Sequence, residues 1–130
     1  MSVSEYKLGT GRQGLYDITH HVAEAVAHSG VRDGLAFVFC PHTTAAVTIN
    51  ENADPDVVHD LLLGLGAAFP DRPDFRHGEG NSAAHLKASC VGSNQTVIVR
   101  DGRPLLGTWQ GIYFCEFDGP RQRKYFVKVL

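Results

Sequence analysis

Apolar and polar positions change period several times along the chain, and each change marks an element. Residues 6–8 and 15–18 are short strand-like runs on either side of a glycine-rich turn at 9–14. After Thr19, a plausible N-cap, Val22, Ala25, Val26 and Ser29 recur at the spacing of an amphipathic helix that Gly30 ends. Asp33-Gly34 signals a turn, and residues 35–40 form a continuous apolar run that predicts a central strand. Residues 44–50 alternate: Ala45, Val47 and Ile49 point one way, and Thr44, Ala46, Thr48 and Asn50 the other.

A helical period follows. Asp54 is suited to cap it and Pro55 to open it, with Val58, Leu61, Leu62, Leu65 and Phe69 as its buried stripe. Residues 70–73 break that pattern. A loop at 75–80 leads to a short helix capped by Asn81 or Ser82 and closed by Gly92. Strands are expected at 96–100, 111–117 and 125–130, with turns at 101–105 and 118–120. Late hairpins after earlier helices predict an α+β domain, residues 1–130, with a largely antiparallel sheet.

Composition narrows the partners. The chain has 130 residues and a formal charge of -2, so no global basic field points to nucleic acid. No apolar run approaches a membrane span, and the N-terminus lacks the apolar core of a secretory signal. Cys40, Cys90 and Cys115 have no metal-site or disulfide spacing, and they read as small buried hydrophobes in a reducing cytoplasm. Arg121, Gln122, Arg123 and Lys124 make a basic run, read either as a solvated turn or as an anion contact.

The densest chemistry lies at residues 41–56, where one histidine, three threonines, two asparagines and several acids sit between a strand and a helix. His77 and His85 flank the later loop and helix start. Three imidazoles can hold a first-row metal and leave a position open, although the spacing matches no established signature, so a shared site and three unrelated histidines both fit. Glu51 could be a general base or orient a ligand, or only complement the next helix dipole. Asn81 and His85 share a helix face, and the start of that helix offers backbone N–H groups to an anion, with Lys87, Arg121 and Arg123 as charge suppliers. Trp109, the single tryptophan, lies between Gly107 and Gly111 beside Thr108 and Gln110, as a pocket wall or a tightly packed corner. P-loop, dinucleotide and serine-elbow motifs are absent.

Three separated segments, PHTTAAVTINENADPDVVHDL, FRHGEGNSAAHLKAS and LLGTWQGIYFCEFDGPRQRK, together resemble the YjbQ-like family, also named secondary thiamine-phosphate synthase enzymes. The resemblance covers nearly the whole chain. It implies a compact α+β domain with a twisted, mainly antiparallel sheet and helices packed on it, assembled as a homotrimer with the site near subunit interfaces. It also implies a histidine-lined site, His42, His77 and His85, able to hold a divalent metal (zinc or magnesium) or an anion, and no organic cofactor. The activity implied is a weak thiamine-phosphate synthase-type transfer on a small phosphorylated metabolite. In that mechanism Glu51, Asn81 and Gln110 act in catalysis, and Asn52, Asn81, Ser82, Thr108, Trp109 and Gln110 contact substrate. The alternatives are a metal- or anion-binding trimeric module without catalysis and a metal-dependent phosphohydrolase.

Overall fold

The computed structural model describes residues 2–130. In chain order the elements are β1 (Val3–Gly9), β2 (Gly14–Asp17), α1 (Thr19–Ser29), β3 (Asp33–Phe39), β4 (Ala45–Glu51), α2 (Pro55–Ala68), α3 (Ser82–Val91), β5 (Asn94–Arg100), β6 (Arg103–Pro104), β7 (Gln110–Glu116) and β8 (Gln122–Val129). They form two sheets rather than one. The first has strand order β1-β8-β3-β5-β6 and the second β2-β7-β4, and the pairings are antiparallel. The α+β class and antiparallel sheets therefore match the pattern-based expectation.

The main core lies where α1 and the facing sides of both sheets meet. Val22 and Val26 of α1 pack with Val38, Val99 and Val127 of the first sheet and with Val47, Ile112 and Phe114 of the second. Each such side chain contributes about 1.5–3 kcal/mol on burial, so this cluster is the principal source of stability. A smaller core lies behind the second sheet, where Ala84 and Ala88 of α3 meet Ala46, Cys115 and Phe117. The alternation read along β4 explains both cores. Ala45 and Val47 enter the first, and Ala46 enters the second.

Three local expectations change. Thr19 is the first residue of α1 rather than its cap; Asp17 accepts its N–H at 2.9 Å, and its hydroxyl accepts the Ile112 N–H, also at 2.9 Å, tying α1 to β7. The apolar run at β3 is buried on one face only. Ala36 and Val38 are buried, whereas Leu35, Phe37 and Phe39 stay exposed on the outer face. α2 buries none of its residues fully; the expected stripe of Val58, Leu61, Leu62, Leu65 and Phe69 is half-buried, with Leu65 against the smaller core and Leu61 beside a cavity of about 110 Å³. Its start is as expected, with Pro55 in the first turn and Asp54 accepting the Asp56 N–H at 2.9 Å.

The turn from β7 to β8 is held by close backbone approach. A Cβ on Gly119 would lie 1.8 Å from the Gly11 carbonyl oxygen, so only glycine fits there. The Gly119 N–H reaches the Arg12 carbonyl at 2.8 Å, and the Thr10 N–H reaches that of Arg121 at 2.9 Å. These contacts fix the segment that carries Asp118, Arg121 and Arg123.

Candidate functional site

A polar cleft of about 400 Å³ opens where three segments converge: the chain entering β4, the loop and first turn of α3, and the β7–β8 turn. His42 and Thr44 come from the first, His77, Glu79, Asn81 and His85 from the second, and Arg121 and Arg123 from the third. The three singled-out histidines thus line one cleft.

Its floor is an ion pair. Arg123 and Glu116 are buried, with side chains 5% and 0% exposed. Arg123 donates from Nε to Glu116 Oε1 at 2.7 Å and from Nη2 to Oε2 at 2.5 Å, and Nη2 also donates to the Thr44 hydroxyl at 2.8 Å. The Thr10 hydroxyl donates to Glu116 at 2.5 Å and the Asp118 N–H at 3.0 Å. Burial alone would raise the Glu116 carboxyl, but the bonds from Arg123, Thr10 and Asp118 outweigh it, and its pKa falls below the usual carboxylate value. A buried ion pair is tolerable only when its remaining valences are met, and the carboxylate meets that condition.

Asn81 occupies the N-cap position of α3 but makes no capping bond. Its amide nitrogen donates to Asp118 Oδ2 at 2.8 Å and, more weakly, to Glu79 Oε2 at 3.4 Å. Two carboxylate partners fix which end of the amide is nitrogen, and so the Asn81 Oδ1 atom is buried without a protein partner. Asp118 also accepts from Arg121 Nη2 at 2.9 Å, and its carbonyl accepts from Arg121 Nε at 2.8 Å. Burial opposes ionisation of Asp118, yet Asn81 and Arg121 outweigh it and lower its pKa.

The histidines differ in their freedom. His42 Nε2 accepts the Lys124 backbone N–H at 3.0 Å, with the Lys124 carbonyl 3.1 Å away. Desolvation, helped by the charge of Arg123, lowers the His42 pKa, so its neutral form predominates at neutral pH. His77 and His85 meet edge to face with ring centroids 5.3 Å apart.

This arrangement corrects the expected metal centre. Among the described residues no group of three or more histidine, cysteine, aspartate or glutamate side chains is placed to hold a metal ion. At His42 the ring nitrogen Nε2 is already engaged by the β8 backbone. The metal-dependent phosphohydrolase reading loses its centre with it.

The remaining candidates lie elsewhere. Glu51 and Asn52 are at the far end of β4, where Glu51 pairs with Gln110 across the strands. Asn52 Nδ2 donates to Asp17 at 3.3 Å, and Gln110 Oε1 accepts the Gly107 N–H at 2.8 Å, closing the Thr108-Trp109 turn. Trp109 stands 63% exposed. Ser82 begins α3 but does not line the cleft, and Lys87 lies over the Phe117 ring. Sequence reasoning missed Glu116 and Asp118. The signal for Glu116 was a lone acid inside the apolar run of β7, which requires a buried partner.

Comparison with known proteins places these residues in a family. The model for "UPF0047 protein YjbQ-like" matches residues 4–130. The UPF0047 protein MJ1081 of Methanocaldococcus jannaschii is 53% identical over 97% of this chain and 92% of its own length. YugU of Bacillus subtilis is 52% identical over 93% and 92%. A crystal structure of an uncharacterized YjbQ/UPF0047-family protein from Clostridium acetobutylicum superposes with a TM-score of 0.96 at 58% identity, covering 98% and 99% of the two chains. One from Sulfolobus solfataricus, described as of unknown function, superposes at 0.94 with 32% identity, covering 98% and 95%. These findings also correct the expected transferase activity: the relatives are named only as UPF0047 proteins or as proteins of unknown function, and none of those names carries thiamine-phosphate synthesis.

Proposed function

We propose that this chain, which belongs to the YjbQ-like UPF0047 family, binds the phosphate group of a small metabolite in the cleft lined by His42, His77, Asn81, His85, Arg121 and Arg123. One observation carries the reading: the cleft holds complementary loose ends. Arg123 uses Nε and Nη2 on Glu116 and Thr44, and Arg121 uses Nε and Nη2 on Asp118, so both Nη1 groups lack a protein acceptor among the described residues. Asn81 Oδ1 lacks a donor. A monoprotonated phosphate, or a phosphate ester with a neighbouring hydroxyl, supplies acceptors for the first and a donor for the second. Because Glu116 and Asp118 offset both guanidinium charges, recognition rests on directed hydrogen bonds rather than on net field.

Calorimetric titration with glycerol 3-phosphate, against glycerol as control, tests the reading. Arg121→Met removes an exposed guanidinium, and we expect about tenfold weaker binding with unchanged folding. Binding that survives both Arg121→Met and Asn81→Leu in variants of native thermal stability overturns the proposal, as does equal binding of glycerol.

Association of copies belongs to the same reading. Leu35, Phe37 and Phe39 of β3 and Ile98 of β5 share the uncovered face of the five-stranded sheet, which supports the homotrimer implied by the family resemblance. Light scattering should give three chain masses, and Phe37→Asp should reduce that to one. A cytoplasmic setting fits three cysteines that are all unpaired, and no helix among the described residues is long and apolar enough to cross a membrane.

A further inference from the structure

Glu79 lines the histidine cleft but takes no part in holding phosphate, and its charge sets a condition on the ligand. It sits in a turn closed by the Gly80 N–H on the His77 carbonyl at 3.1 Å, with Gly80 at a φ of 73°. Among the described residues its side chain has one hydrogen-bond partner, Asn81 Nδ2, at a weak 3.4 Å. Glu116 and Asp118 are each paired with an arginine, whereas Glu79 has no arginine or lysine within 4.0 Å. Arg121 and Arg123 therefore face Glu79, Glu116 and Asp118, an excess of one negative charge. Neither nearby lysine corrects it. Lys124 holds its ammonium over the Phe126 ring and Lys87 over that of Phe117, and neither lines the cleft.

A phosphate that brings no positive charge meets this carboxylate as a like charge, and such juxtapositions select against a ligand. A ligand with its own cation satisfies both ends. The spacing suits one small molecule. Asp118 Oδ2 accepts from Asn81 Nδ2 at 2.8 Å and from Arg121 Nη2 at 2.9 Å, so the asparagine beside Glu79 and the guanidinium on the phosphate side are neighbours. Glu79 and Arg121 thus bound a short gap that is too wide for an ion pair of their own. A phosphate on Arg121 and an ammonium on Glu79 bridge it with charge-assisted hydrogen bonds at both ends.

We propose that Glu79 is a specificity-determining residue and that the cleft takes a phosphate monoester bearing a protonated amine, an aminoalkyl phosphate. The inference rests on the phosphate reading of the same cleft. It adds the second half of the ligand and assigns the residue that selects it.

Calorimetric titration of the full chain with phosphoethanolamine, glycerol 3-phosphate and ethanolamine tests it, at about pH 8, above the ordinary imidazole range. Phosphoethanolamine should bind at least ~10-fold more tightly than glycerol 3-phosphate, the margin of one charged hydrogen bond. Glu79→Gln, at an exposed position, should move the two ligands in opposite directions. Phosphoethanolamine should weaken about tenfold, and glycerol 3-phosphate should tighten as the like charge is removed. A merely structural role for Glu79 would shift both the same way. Glycerophosphoethanolamine, a diester, separates a free metabolite from a lipid headgroup; it should bind more weakly, having one anionic oxygen fewer. The proposal is overturned if glycerol 3-phosphate binds as tightly as phosphoethanolamine, if the preference persists in Glu79→Gln, or if the diester binds more tightly than the monoester. Each of those results leaves the phosphate reading standing. Ethanolamine bound as tightly as phosphoethanolamine would sink the phosphate reading instead, and binding of none of the ligands would sink both.

Discussion

The two ends of β4 carry similar residue types and behave differently. At its start, His42 and Thr44 join a cleft whose floor is the buried Arg123–Glu116 pair and whose rim holds Asn81 and two further histidines. At its finish, Glu51, Asn52 and the Thr108–Gln110 turn are equally polar, but their hydrogen bonds close on one another and on Asp17. The seven-residue strand separates the two groups by roughly 20 Å. One end leaves donors and an acceptor unmatched around a cavity. The other uses its polar groups to finish local structure: Glu51 accepts the Asp54 N–H at 3.2 Å, and Asp54 in turn caps α2. Polar density alone does not make a site; unmet hydrogen-bonding capacity beside open volume does.

The largest expected effect tests whether the cleft floor is as costly to disturb as its burial implies. Arg123→Met leaves Glu116 buried and unpaired, and breaking such a pair destabilises by about 3–5 kcal/mol. The urea midpoint should fall accordingly. A floor that is wetter than the structure indicates would reduce the loss to the scale of a surface pair, under about 1 kcal/mol.

At the far end the sharpest probe is steric. A Cβ on Gly111 would stand 2.6 Å from Asn52 Nδ2 and 2.8 Å from Asn52 Cβ. Gly111→Ala should cost about 1–3 kcal/mol by displacing that side chain from Asp17. Glycerol 3-phosphate affinity should not change, because the cleft lies at the other end of the strand. A parallel loss of affinity would show that the two ends act as one site.

Acid should separate the ends as well. Desolvation lowers the pKa of His42, and desolvation with the neighbouring His20 charge lowers that of His21. The unfolded chain then binds more protons just below the ordinary histidine value, so stability is full above about pH 6.5 and falls as the pH drops through the lowered folded values. The His42 share should disappear in His42→Gln, measured as a flatter stability profile between about pH 5 and 7. An unchanged profile would mean that His42 is not desolvated beside Arg123.

The contrast between the ends also marks what the residue order could reveal. Periodicity placed α1, α3 and the late hairpins, because each buries one regular stripe. It could not show that β3 would leave Leu35, Phe37 and Phe39 exposed, because an apolar run reads the same whether one face or both is covered. That His42, His77 and His85 converge was open on spacing alone, since long-range register decides it. The bond from the Lys124 backbone to His42 was invisible, because backbone partners leave no trace in side-chain identity. The basic run at 121–124 was legible as charge; strand alternation on β8 then sends Arg123 inward and Lys124 outward.

The smallest predicted effect concerns the element that the far end of β4 launches. α2 has no fully buried residue, so little tertiary contact compensates for a lost cap. Asp54→Ala removes the bond to the Asp56 N–H and a negative charge at the positive end of the helix dipole. The expected loss is about 1 kcal/mol. Amide exchange should locate it: protection should drop across the first turn of α2 and remain unchanged in α3, whose start at Asn81 makes no capping bond. Were α3 to loosen as well, α2 would be holding the cleft wall through the small core behind the second sheet, and the independence of the two ends of β4 would fail.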